Sequence, residues 1–219
     1  FGITYGYGGV DPKGVEMSFG LGSLYLQDEW QVNKNFKLTY GVRAELPMYH
    51  NKLMDNPAIS ALSFKDGYKM DISTWPNSKI QVNPRIGFNW DVKGDRSIQV
   101  RGGTGLFSGV LPFVWITNQP SSSVTVQSPE IGLVGANLPA DFRFNKDFRA
   151  QIAKYPALFP QAISTTLASG AALAEVKKDF KMPRVWRSNL ASDIELPGNM
   201  ILTLEALFTK DINAVVQQN

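Results

Sequence analysis

"NFKLTYGVRAEL", residues 35–46, alternates apolar and polar side chains from its second residue to its last. Phe36, Leu38, Tyr40, Val42, Ala44 and Leu46 fall on one side, and Lys37, Thr39, Gly41, Arg43 and Glu45 on the other. Successive Cβ atoms of an extended chain point to opposite sides of a sheet, so period two marks a strand whose faces meet different surroundings. Upstream, "SLYLQDEWQV" sets Leu24, Leu26, Trp30 and Val32 against Ser23, Gln27, Glu29 and Gln31. Downstream, "QVNPRIGFNWDV" sets Val82, Ile86, Phe88, Trp90 and Val92 against Gln81, Asn83, Arg85, Asn89 and Asp91. "SIQVRGGTGLF" follows with Ile98, Val100 and Leu106, and a looser last pair spans Trp186 to Leu196 and Met200 to Phe208. These make six candidate strands.

Their connections alternate in length. Asn33–Asn35, Lys93–Arg96 and Pro197–Asn199 are short and built from residues that tolerate turn geometry, which predicts three hairpins. Between the hairpins lie long stretches, residues 47–79 and 108–183. Alternation alone also suits a half-buried soluble strand, so length decides between the two. A strand of about 11 residues tilted near 40° rises roughly 27 Å, close to the apolar band of an outer-membrane barrel. Ordinary globular strands are about half as long. Trp30, Phe36 and Trp90 stand beside the short turns, and Phe107, Trp186 and Phe208 beside the long loops, as two interfacial girdles would require. The expected fold class is all-β: an antiparallel transmembrane β-barrel section of about six long strands. Tight turns lie on the periplasmic side, and long extracellular loops carry short helices.

Two residues strain this pattern. Asp28 falls in phase with the apolar side, where an ionised carboxylate is costly. If Val32 pairs with Phe36, Asp28 lies opposite Tyr40, so either a hydrogen bond or a local bulge accommodates it. Pro84 interrupts a strand with neighbours on both sides, which implies a bulge or the start of pairing.

Composition agrees with a wall rather than a globule. Only 19% of the residues are charged, the formal net charge is +3, and no Lys/Arg cluster forms a nucleic-acid footprint. The chain has no cysteine, hence no disulfide and no thiolate metal site. No apolar run approaches the roughly 20 residues of a membrane helix.

Catalytic chemistry finds no support in the motifs. His50, the single histidine, stands beside Tyr49 with no partner spaced for a metal and reads as a surface loop residue. Asp28 and Glu29 point to opposite faces and cannot act as a pair. "GGTGLFSG" at 102–109 lacks the spacing and the Lys-Ser/Thr end of a phosphate loop. Its glycines read as close packing or a strand bend, with Phe88 covering Gly102 across the hairpin. "SSS" at 121–123 has no histidine to activate it. The expectation is therefore no enzyme, no catalytic residues, no metal and no cofactor.

Recognition falls to the long loops. "PFVWITNQ" at 112–119 projects Phe113 and Trp115 near Asn118 and Gln119, a combination that stacks on and hydrogen-bonds a sugar or peptide. The plain alternative is that these aromatics pack the loop down. Phe113, Trp115, Asn118 and the strand residue Arg101 are the candidate substrate-binding residues. "NKDFRAQIAKY" and "PQAISTTLASGAALAEVKKDF" predict two short helices, with Asn145 as N-cap and Pro156 and Pro160 as breakers. Ile163, Leu167 and Leu173 then need a partner surface, so the loop is expected to be folded.

"LYLQDEWQVNKNFKLTYGVRAELP", "NPRIGFNWDVKGDRSIQVRGGTGLFSG" and "LEALFTKDINAVVQQN" resemble strand segments of TonB-dependent outer-membrane receptors, in particular SusC-like and Oar-like transporters. The likeness covers the strand regions, roughly half the chain, and fades in the loops. It implies a 22-stranded barrel in a Gram-negative outer membrane, with an N-terminal plug energised through TonB and large nutrients as cargo. Residues 1–219 are then expected to be an internal section of that barrel. Its partners would be outer-membrane lipid, the remaining strands and plug, TonB through the plug, and a surface lipoprotein, with no nucleic acid. Two further readings stay open: a soluble β-sandwich glycan-binding or adhesive module, and a small passive porin-like barrel.

Overall fold

The computed structural model describes residues 2–7, 14–121, 125–126, 128, 130–133, 138–163, 167 and 173–217. They divide into two compact units.

The sheet unit comprises residues 19–49, 78–111 and 181–219. Besides the short β1 (Gly2–Ile3) and β6 (Ile131–Gly132) of the other unit, the six strands of this one are, in chain order, β2 (Phe19–Asn33), β3 (Phe36–Tyr49), β4 (Gln81–Asp91), β5 (Ile98–Ser108), β7 (Arg184–Leu196) and β8 (Met200–Asn213). They form one antiparallel sheet in the order β2-β3-β4-β5-β7-β8, so every strand pairs with its sequence neighbour in the sheet. The strands are 11 to 15 residues long, and several outrun the sequence expectation: β2 begins at Phe19, and β8 continues to Asn213. The long loops run over 50–80 and 109–183 in place of 47–79 and 108–183, because β3 reaches Tyr49, β4 starts at Gln81 and β5 reaches Ser108.

Register carries one face across all six strands. Leu26 pairs with Val42, Val42 with Pro84, Phe88 with Gly102, Gly102 with Leu190, and Leu190 with Ala206. Every one is even-numbered, and the even face is predominantly apolar, broken by Asp28, Thr104, Ser188 and Ser192. The odd face holds Gln27, Arg43, Arg85, Arg101, Asn189 and Thr203. No other element of the unit covers the apolar side. Leu24 is 78% exposed, Leu26 74% and Leu190 53%. The two-sheet core that a sandwich requires is absent from this unit.

The strained residues resolve as follows. Asp28 lies opposite Tyr40, whose hydroxyl donates to its carboxylate at 2.8 Å. The hydrogen bond is the accommodation, and the register shift falls instead between Gln31 and Asn33, beside the turn. Pro84 pairs with Val42 on β3 but precedes the β4–β5 ladder, which opens at Arg85–Gly105, so its missing N–H is not demanded there. A Cβ on Gly102 would stand 2.9 Å from both the Phe88 ring and the Asn189 carbonyl, and the ring fills the space that a side chain would take. Phe107 corrects the girdle assignment. It pairs with Val185 on the odd face, one residue out of phase, and the aromatic belt at that end consists of Trp186 and Phe208, in edge contact at 6.1 Å.

The hairpin turns meet their chemistry. Gly94, Arg96, Gly198 and Asn199 take positive φ, as tight turns between twisted strands demand.

The loop unit comprises residues 1–18, 50–77 and 112–180. It contains β1 (Gly2–Ile3) paired with β6 (Ile131–Gly132), and the helices α1 (Pro57–Ser60), α2 (Phe113–Ser121) and α3 (Phe148–Lys154). Tyr5, Tyr7, Leu133, Phe142, Ile152, Tyr155 and Phe159 make its hydrophobic core, with Ile163 packed at the margin. Asp147, rather than Asn145, caps α3 by accepting from the Arg149 and Ala150 N–H groups at 3.0 and 3.3 Å. Asn145 instead accepts from the Asp147 N–H at 3.0 Å and shapes the turn before the cap. The helix expected over 160–180 is not found among its described residues; 164–166 and 168–172 lie outside them. Pro156 follows the end of α3, as expected of a breaker.

Candidate functional site

The odd face of the sheet is a field of paired polar groups. Arg101 forms an ion pair with Asp193, which also accepts from the Thr203 hydroxyl at 2.7 Å. Lys37 pairs with Glu29 at 3.2 Å and Arg43 with Glu45 at 2.8 Å. Glu45 accepts from Asn83, and Asn83 from the Ser108 hydroxyl at 2.8 Å. Arg85 donates to Gln27 across the intervening β3, over Gly41. A sheet side that serves water can hold such groups at little cost, because exposed ion pairs need only modest compensation.

Within this field two neighbouring rows leave a hollow. Lys37, Asn89 and Arg101 form one row, and Thr39, Gly87, Gly103 and Asn189 the next. The glycines supply no side chain, and a concavity of about 340 Å³ opens among Lys37, Thr39, Gly87, Asn89, Arg101 and Asn189. Its cations, amides and hydroxyl can hydrogen-bond a polar ligand or a polypeptide backbone. Of the sequence candidates, Arg101 belongs here. Lys37, Asn89 and Asn189 were missed, although hairpin register already aligned Asn89 with Arg101.

Phe113, Trp115 and Asn118 lie in the loop unit, on α2, where a projecting loop was expected. Thr117 and Ser121 donate their hydroxyls to the Val114 and Thr117 carbonyls at 3.0 and 2.7 Å, back-bonding that satisfies both hydroxyls within a helix ending at Ser121. Ile116 and Gln119 are fully buried, and the Gln119 side-chain oxygen accepts from the Val176 N–H at 2.8 Å. The three candidates all remain exposed: Phe113 is 41% and Trp115 36% accessible. Trp115 and Asn118 are three residues apart and share one side of the helix, whereas Phe113 stands on its first turn. Of "SSS", Ser121 ends α2, and 122–123 lie outside the described residues. His50 is exposed just past β3, its N–H donating to the Ser18 carbonyl at 3.0 Å.

The segments that flank α2 are tied down. Trp75 donates its indole N–H to the Asn51 carbonyl at 2.7 Å, and the Asn77 N–H reaches the Lys178 carbonyl at 2.8 Å. Tyr68 donates to Glu175, whose other oxygen accepts from the Asp71 N–H at 3.1 Å. Burial first, and that bond second, push the Tyr68 phenol up to about 12. In the aromatic core, burial together with Tyr7 pushes Tyr5 up to about 12, and its hydroxyl donates to the Pro160 carbonyl at 2.6 Å.

A family model described as "Outer membrane beta barrel domain" matches residues 7–206, most of the chain. No curated protein matches it. Neither does any solved structure.

Proposed function

The chain belongs to the outer membrane beta barrel domain family and resides in the bacterial outer membrane, and from that premise we propose that it is part of a TonB-dependent importer of large nutrients. The sheet contributes barrel wall, with its even face against lipid and its odd face toward an aqueous interior. The extracellular loop unit supplies recognition through Phe113, Trp115 and Asn118, and Arg101 lines the interior path. An oligosaccharide or peptide is the cargo class that a Trp/Phe/amide surface serves, since rings stack on sugar or side-chain faces while the amide fixes polar groups. The partners in this reading are a plug, TonB acting through that plug, and a surface lipoprotein that captures cargo. The role is transport, with no covalent step.

The observation that carries this reading is the pairing of an uncovered apolar face with a polar face rich in matched charges, joined to a folded loop unit that displays aromatics. Uptake by cells that depend on the intact protein, compared with and without TonB, tests it. Energised import stops when TonB is removed. Uptake that persists without TonB, together with steady conductance of the purified protein in a planar bilayer, would mean a passive porin instead. Trp115→Ala and Asn118→Ala should each weaken cargo binding by about 1–2 kcal/mol while the barrel still assembles.

A further inference from the structure

The periplasmic end of the sheet carries charge that neither face uses. The β2–β3 turn at Lys34–Asn35 and the β4–β5 turn at residues 92–97 lie side by side. The Asp91 N–H donates to the Asn35 carbonyl at 2.7 Å, and a side chain on Gly94 would meet the Asn35 amide at 2.9 Å. Lys34, Lys93 and Arg96 thus gather on two touching turns, all three exposed and none in an ion pair among the described residues. Two carboxylates share these turns, and both accept hydrogen bonds within the β4–β5 turn. Asp91 accepts from the Gly94 N–H at 2.8 Å and the Arg96 N–H at 3.1 Å. Asp95 accepts from the Ser97 hydroxyl and N–H at 2.6 and 3.0 Å. Three cations against two carboxylates leave the two turns with a net positive charge.

Directly up the strands stands the aromatic belt of the lipid face. Trp30 is 56% and Trp90 43% exposed, and Phe36 pairs with Trp90. Interfacial indoles sit at headgroup level, where an ammonium or guanidinium meets phosphate. We propose that Lys34, Lys93 and Arg96 form a docking patch for the headgroups of anionic phospholipid in the periplasmic leaflet, whose acyl chains lie along Trp30 and Trp90. Charge complementarity and continuity with the lipid-facing belt select this occupant. The assignment requires only the outer-membrane barrel, so it stands or falls separately from TonB-driven import.

Native mass spectrometry of the intact protein in neutral detergent, titrated with dioleoyl phosphatidylglycerol or dioleoyl phosphatidylcholine at low salt, tests the patch. Phosphatidylglycerol should be retained at lower concentration than phosphatidylcholine. Each cation near a membrane surface is worth roughly fivefold. Lys34→Gln, Lys93→Gln and Arg96→Asn together should therefore raise the half-saturating phosphatidylglycerol concentration by at least about tenfold, with phosphatidylcholine unchanged. Asn tolerates the positive φ of position 96. The charge-keeping set Lys34→Arg, Lys93→Arg, Arg96→Lys should preserve the preference, and raising salt to about 0.5 M should erase it in the unaltered protein. The last two measurements decide the matter even if the neutral variant does not assemble. Equal retention of the two lipids, a preference that survives high salt, or undiminished phosphatidylglycerol binding by a folded neutral variant would overturn the proposal.

Discussion

Asp28 shows how one side chain tests the whole reading. It sits in the apolar row of an edge strand, and the Tyr40 hydroxyl at 2.8 Å answers its charge. Tyr40→Phe removes that donor and should cost about 1–3 kcal/mol of barrel stability, since the carboxylate loses its partner. Asp28→Leu added to Tyr40→Phe should restore most of it, as read by urea unfolding in bilayers. Placing a second carboxylate beside the first, Tyr40→Asp should block assembly, whereas Thr39→Asp, one residue away on the polar face, should be tolerated. Folded protein in the outer membrane, scored by heat-modifiable gel mobility, measures both, and equal outcomes would remove the face assignment. Tyr5 offers a test in the loop unit. Its folded pKa, about 12, lies above the ordinary value of 10.0, so the protonated phenol is the form that the fold favours. The stabilisation is complete below about pH 10 and is lost as pH rises toward 12. Tyrosinate absorbance should show two late ionisations, those of Tyr5 and Tyr68, and Tyr5→Phe should remove one of them.

At the scale of elements, the strands and turns were legible because their signals are local. Period two and turn residues such as Pro197-Gly198-Asn199 fix a hairpin without knowledge of the rest, and the Asp28–Tyr40 pairing is as expected, although a register shift beside the turn gives Phe36 Asn33 as its partner in place of Val32. Phe107 was misassigned to a girdle because nearness to a strand end was weighed above parity. α2 was hidden by Val114, Thr117 and Pro120, poor helix formers that the burial of Ile116 and Gln119 overrides. The shift of the α3 cap from Asn145 to Asp147 is a choice between two good capping residues that local sequence cannot rank. Asp147→Ala should cost about 1 kcal/mol of loop-unit stability, while Asn145→Ala should cost less. Hydrogen exchange at the Arg149 and Ala150 amides would separate them. Gly102→Ala should destabilise the β4–β5–β7 region by about 1–3 kcal/mol, because the new methyl meets the Phe88 ring and the Asn189 carbonyl. Phe88→Ala on that background should recover part of the loss.

For the molecule as a whole, hydrophobic burial lies in the loop unit, where the large fully buried side chains Phe159, Ile59, Ile72 and Ile116 are found. The sheet has no such core and exposes its apolar row. In water that arrangement would aggregate, and in a bilayer it is satisfied. Substrate-binding residues were only partly legible, because recognition by loops depends on tertiary contacts such as Gln119 to Val176 that no local pattern encodes. The lipid-facing row can be read directly, since these 219 residues contain no cysteine. A single-cysteine scan from Lys37 to Ala44, in the intact protein in its membrane, would measure reactivity toward a water-soluble maleimide and quenching of an attached fluorophore by spin-labelled lipid. Positions 37, 39, 41 and 43 should react with the maleimide, and positions 38, 40, 42 and 44 should be quenched by lipid. Reactivity without that alternation, or lipid quenching at the odd positions, would contradict the account.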